Sequence, residues 1–206
     1  MEELYRDILS FGCLRVFRHF TTYLRGREEL LITIRSEESI SSGRNFCLEN
    51  RSSKSALPPA SPSSSETKKV KSNETLFLLG AYGRYAWPYI WLRSDTEGCN
   101  HEFNKDRPVD LQTLRDWKIK GTKVWDIVEE LISLKAPGVV NPFEVDFAAL
   151  NKLQPLERAT MAGATAAFLQ KLLLEREQDY TQHVMDDLKR LLVCHFQHMA
   201  TLLPGT

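Results

Sequence analysis

Apolar residues recur at spacings of three and four across the first two dozen positions of the chain. Tyr5, Leu9, Cys13, Val16, Phe20 and Leu24 form one row, and Leu4, Ile8, Phe11, Leu14 and Phe17 widen it into a face. This period predicts an amphipathic helix over residues 2–24. Glu2 and Glu3 open it and Arg25 with Gly26 closes it, where the helix dipole and the C-terminal preference for glycine place them. The pattern then shifts to β-favouring residues. ELLITIRS (29–36) predicts a strand, and RNFCLENR (44–51) a hairpin partner for it across a Ser/Gly-rich loop.

Apolar periodicity vanishes over residues 51–73, which are rich in Ser, Pro and Lys; the expectation there is a disordered loop. Order is expected to resume at Glu74. The run LFLLGAYGRYAWPYIWLRSD (76–95) follows, with Tyr82, Tyr85, Trp87, Tyr89 and Trp91 packed into ten positions. A membrane span is opposed by the shortness of residues 76–92 and by Arg84, two glycines and Pro88 within them. A phosphate-clamping Gly-x-x-Gly loop at Gly80 and Gly83 should open a helix, which Pro88 and its aromatic neighbours oppose. A β-hairpin fits better, with strands over 76–79 and 85–93 and a turn over 80–84. Period two then places Tyr85, Trp87, Tyr89 and Trp91 on one face and Ala86, Pro88, Ile90 and Leu92 on the other, so both faces are apolar.

The remainder reads as helical. Short helices are predicted over 110–118 and 122–134, and another after Asn141 as N-cap with Pro142 in the first turn. Residues 155–203 predict one long helix, interrupted at most near Gly163 and reaching about 70 Å. Its stripe is Leu169, Leu173, Tyr180, Val184, Leu188, Leu191, His195, Met199 and Leu202. The fold class is therefore α+β: an N-terminal helix on a small antiparallel sheet of about four strands with a disordered internal loop, then a helical C-terminal half. The divisions are 1–50 (helix and first hairpin), 51–73 (loop), 74–135 (aromatic hairpin and short helices of the same domain) and 136–206 (C-terminal helical region).

Composition narrows the function. A hydrophobic fraction of 42% supports a packed core, and a formal net charge of zero opposes a globally electropositive nucleic-acid binder. Charge is uneven: residues 51–73 carry a net +4 and residues 126–206 a net −4. Acids at the N-terminus stand where a secretory leader needs bases. Cys13, Cys47, Cys99 and Cys194 are widely spaced, which suits free thiols in a reducing compartment and hence the nucleus or cytoplasm. TKKVKS (67–72) has the character of a short basic import signal, and Ser61 and Ser63–Ser65 are candidate phosphate acceptors.

Candidate chemistry is thin. Cys194, His195 and His198 lie close on a helix and, with Cys99 and His101, would supply zinc ligands, but no knuckle spacing joins them. Neither a nucleophile elbow nor a nucleotide-binding loop is present, and the adjacent acids Asp186/Asp187 and Glu129/Glu130 point apart on helices. No cofactor or metal is predicted. The leading expectation is a non-enzymatic adaptor or subunit of an intracellular multiprotein complex. It would bind other protein subunits through Leu173, Tyr180, Val184, Leu188, Leu191 and Met199 of the long helix. The alternative is a nucleic-acid-binding module using Arg84, Tyr85 and Trp87 with Lys118, Lys120 and Lys123. An unrecognised enzyme is the third reading.

Overall fold

The computed structural model describes residues 2–36, 73–85, 87–94, 107–117 and 121–202. The expected strand over 44–51, the expected loop over 51–72, Cys47, Cys99, His101, Lys118 and Lys120 lie outside the described residues.

The N-terminal helix α1 (Glu2–Gly12) is half the length its apolar row predicts. Residues 20–24, FTTYL, are instead strand β1 (Phe20–Leu24), because Thr, Tyr and Phe favour an extended backbone and a partner strand is close by. Thr22 settles the boundary: its buried hydroxyl donates to the carbonyls of Gly12 (3.3 Å) and Leu14 (3.1 Å), capping the end of α1. A Cβ at Gly12 would come within 2.7 Å of Leu24, so the missing side chain lets the helix end close onto the sheet.

β1 turns directly into β2 (Glu29–Arg35) through a tight loop with Gly26 at φ 76°, closed by the Arg25 N–H donating to the Glu29 carbonyl. The partner of β2 in this first hairpin is thus the segment before it. β3 (Glu74–Gly80) and β4 (Tyr89–Leu92) complete an antiparallel meander in the order β1-β2-β3-β4. Register puts Leu30, Ile32 and Ile34 beside Leu79, Phe77 and Thr75, and Phe77 and Leu79 beside Leu92 and Ile90. That face meets α1 and α3 (Val124–Lys135). The opposite face carries Leu31, Leu78, Tyr89 and Trp91, and Leu78 and Trp91 are also buried, as the two-sided apolarity predicts.

Two short helices, α2 (Gln112–Arg115) and α4 (Phe147–Asn151), flank α3 in sequence. Asn141 does not start a helix: its side chain accepts from the Phe143 N–H and holds a turn, while Asp146 caps α4 by accepting from the Ala149 N–H.

The C-terminal half is an antiparallel hairpin of α5 (Pro155–Glu175) and α6 (Thr181–Leu202). The break falls at residues 176–180, where Arg176 is extended and the Thr181 hydroxyl donates to the Gln178 carbonyl. Gly163 stays inside α5, and its bare Cα admits the His195 ring, which a Cβ would meet at 3.0 Å. Each helix is then only about 32 Å long, matched to the body of the domain. Phe11, Phe17, Phe20, Phe143 and Phe168 join the layers, with ring centroids from 4.7 Å (Phe17–Phe20) to 6.5 Å (Phe11–Phe143). Lys171 pairs with Asp7 and lies over the Trp125 ring, while Arg176 pairs with Asp126 and Glu129, so α5 is tied to α1 and α3.

Candidate functional site

α6 has two apolar faces, and the fold uses one. On the inner face Tyr180 (just before α6), Val184 and Leu191 are buried, Leu188 is half-buried against the core, and Leu173 of α5 joins them. The Tyr180 ring packs on Phe143 at 6.2 Å. Its hydroxyl faces the Glu129 carboxylate, and burial with that negative neighbour raises the phenol above its ordinary range. Five of the six residues expected to grip a partner therefore pack within the fold. Met199 differs, at 37% exposed.

The outer face is open. Met185, Leu192, Val193 and Phe196 are exposed by 40%, 40%, 56% and 66%, and with Met199 they run along one side of the helix. Met185, Leu192 and Met199 are seven residues apart in turn, drifting only about 20° per step, with Phe196 beside them. From Leu191 to Leu203 the sequence has no Asp, Glu, Lys or Arg. That absence, together with the period-seven row, was the available sequence signal for this face.

The inner face of the same last turns is held by polar groups. His195 Nδ1–H donates to the Ala159 carbonyl at 2.8 Å. Arg158 donates from Nη1 to His198 Nε2 at 3.0 Å, and the opposite ring nitrogen of His198 donates to the Cys194 carbonyl at 2.7 Å. Arginine can only donate, so this geometry fixes the tautomer of His198. Arg158 Nη2 also bonds the carbonyls of Asn151 and Leu153. These imidazoles join α5 to α6. Among the described residues, no group of three or more His, Cys, Asp or Glu is arranged to hold a metal ion.

A second surface is the aromatic ledge between β3 and β4. Tyr82, Tyr85, Tyr89 and Trp91 form a chain of ring contacts 5.4–6.3 Å apart, with Trp87 at 6.2 Å from Tyr89. The exposed Arg84 guanidinium lies over Tyr85 at 4.9 Å and over Tyr82 at 5.5 Å. Glu28 and Glu29 fix the ledge by accepting from the Gly83 N–H and the Tyr82 hydroxyl. Burial and the Glu29 bond raise Tyr82 well above an ordinary phenol. Lys123, expected on this surface, instead pairs with Glu3 and Asp7 of α1.

The third feature is a cleft of about 800 Å³ lined by Arg18, His19, Lys135, Glu144, Asp187 and Arg190, among others. Arg18 and the buried His19 both donate to Glu144, at 2.7 and 3.1 Å. Burial alone would push the Glu144 carboxyl up, but these two bonds outweigh it and hold the carboxyl below its usual range. Asp187 is pushed up by burial, only partly offset by the Val145 N–H and Arg190. Residues separated by 125 positions build this cluster, which no local motif announces.

The structure thus defines an α+β protein, a four-stranded meander backed by helices and closed by a helical hairpin with an open apolar face. The chain belongs to the family described as a domain of unknown function, DUF7886, whose model matches residues 61–197. That region contains β3, β4 and most of the α5–α6 hairpin, while α1, β1 and β2 precede it. No curated protein and no solved structure matches the chain. Among the described residues no helix is long and apolar enough to cross a membrane.

Proposed function

We propose that this protein is a non-enzymatic adaptor or subunit of an intracellular multiprotein assembly, in the nucleus or cytoplasm, and that it docks its partner on the outer face of α6. The observation that carries this reading is the continuous exposure of Met185, Leu192, Val193, Phe196 and Met199 on one helix. Methionines, leucine and a phenylalanine at helical spacing suit the helix side of helix-in-groove recognition, where flexible and aromatic side chains adapt to a partner's apolar surface. The inner row of Tyr180, Val184 and Leu191 is the support for that face.

The test uses Phe196→Asp and Leu192→Asp. Both variants are expected to keep the circular dichroism spectrum of the parent and to lose partners recovered with it by affinity purification. Recovery of the same partners by a folded double variant contradicts the proposal. A second reading, single-strand nucleic-acid binding, draws support from the Arg84 guanidinium stacked on Tyr85 beside the exposed Trp87. Salt-dependent binding of an oligonucleotide, lost in Arg84→Ala, would favour that reading.

A further inference from the structure

Within the exposed face of α6, the period-seven row of Met185, Leu192 and Met199 reads the same from either end. Met185 and Met199 stand seven residues to each side of Leu192, on one side of the helix. A two-fold axis through Leu192 therefore lays Met185 of one copy on Met199 of the other and Leu192 on Leu192. This is the self-matching that an isologous contact requires, with each pair occurring twice. Resting on the reading of α6 as a docking face, we infer that its occupant is a second copy of this chain, paired antiparallel and centred on Leu192.

Charge selects the direction. The charged residues of α6 are Asp186, Asp187, Lys189 and Arg190, all in its first half, and Asp186 and Lys189 flank the apolar row as an exposed pair 3.3 Å apart. Parallel pairing would set Lys189 against Lys189 and Asp186 against Asp186. Antiparallel pairing sets this half against the uncharged turns after Leu191 and avoids both repulsions. Two α5–α6 hairpins joined in this way make a four-helix arrangement. The row spans about 21 Å, so the seam is short and the interface small. The dimer is accordingly weak and concentration-dependent.

Sedimentation of the full chain over a concentration series tests this, with cysteine cross-linking to fix the register. The expected result is reversible dimerisation, weakened about tenfold or more in Leu192→Asp. Leu192→Cys should cross-link to itself above the background of the parent chain. Met185→Cys mixed with Met199→Cys should cross-link more than either alone, and Val140→Cys, exposed elsewhere, should stay at background. A parent chain that remains monomeric at the highest concentration overturns the second-copy inference. So does a dimer that survives Leu192→Asp, or one in which Met185→Cys cross-links chiefly to itself. Docking of a different partner on α6 is read separately: a monomeric parent whose partners disappear in Phe196→Asp leaves the docking face standing. A monomeric parent whose partners persist in that variant removes both.

Discussion

The two halves of α6 are built in opposite senses. In the first half, Val184 and Leu188 face the core and Asp186 and Lys189 face outward, as in an ordinary surface helix. In the second half the half-buried inner positions are Cys194, His195 and His198, while Leu192, Val193, Phe196 and Met199 are outside. A folded monomer gains nothing from exposing four apolar side chains while tying down two imidazoles. The inversion has a physical sense if the outer face is covered in the working state. The comparison also shows that a hydrophobic stripe says which residues share a face, and the neighbouring elements decide whether that face is core.

The largest effects are expected on the inner face. Leu191 is fully buried, so Leu191→Ala should destabilise the fold by about 2–5 kcal/mol in urea titration, and Leu191→Asp should prevent folding. Next comes the polar fastening of the second half. Arg158→Ala removes donors to His198, Asn151 and Leu153 and should cost about 1–3 kcal/mol. Its loss should appear first as faster amide exchange in the last turns of α6.

Away from α6, Glu144→Gln weakens the bonds from Arg18 and His19; the carboxylate is part-exposed, so about 1 kcal/mol is expected. Its sign with pH follows from the depressed carboxyl: the stabilisation is present above the unfolded carboxylate range and is lost as pH falls through the lower folded value. Asp187, raised by burial, works the other way and favours the folded state as it takes up a proton. Stability of the parent should therefore fall more steeply on acidification than that of Glu144→Gln, measured by thermal melts from neutral to acid pH. Smallest of all is Phe196→Asp, which should change monomer stability by no more than about 0.5 kcal/mol. A large loss there would mean that the outer face is structural after all.

Much of the architecture could be read from the chain. The N-terminal helix, strand β2, the two-sided aromatic hairpin and the helical second half follow from local period and residue type. Boundaries were less legible: the strand expected over 85–93 is only β4 (Tyr89–Leu92), with Tyr85 and Trp87 before it, and Asn141 opens no helix. FTTYL continues the three-and-four spacing of α1, and only its pairing with β2 and the Thr22 cap on Gly12 make it a strand. Similarly, α5 and α6 form one unbroken apolar stripe on paper; the break at residues 176–180 shows only in the local chemistry of Gln178 and Thr181, while Gly163, the more conspicuous breaker, remains helical. The candidate site was half legible. The stripe is visible in the sequence, but the fold-back at residues 176–180 buries most of it and leaves the period-seven row of Met185, Leu192 and Met199 outside. The His19–Glu144 cluster depends on the chain crossing from the first strand to residue 144, which no local pattern encodes.

On the proposed pairing, adjacent residues of α6 do different work: Leu191, fully buried, holds the fold together and Leu192 meets the partner copy. Paired thermal denaturation and sedimentation of Leu191→Asp and Leu192→Asp test it most directly. Leu191→Asp is expected to show no cooperative melt, whereas Leu192→Asp should melt within a few degrees of the parent's monomer and sediment as a monomer where the parent dimerises. A Leu192→Asp chain that unfolds like Leu191→Asp, or that still dimerises, would contradict it.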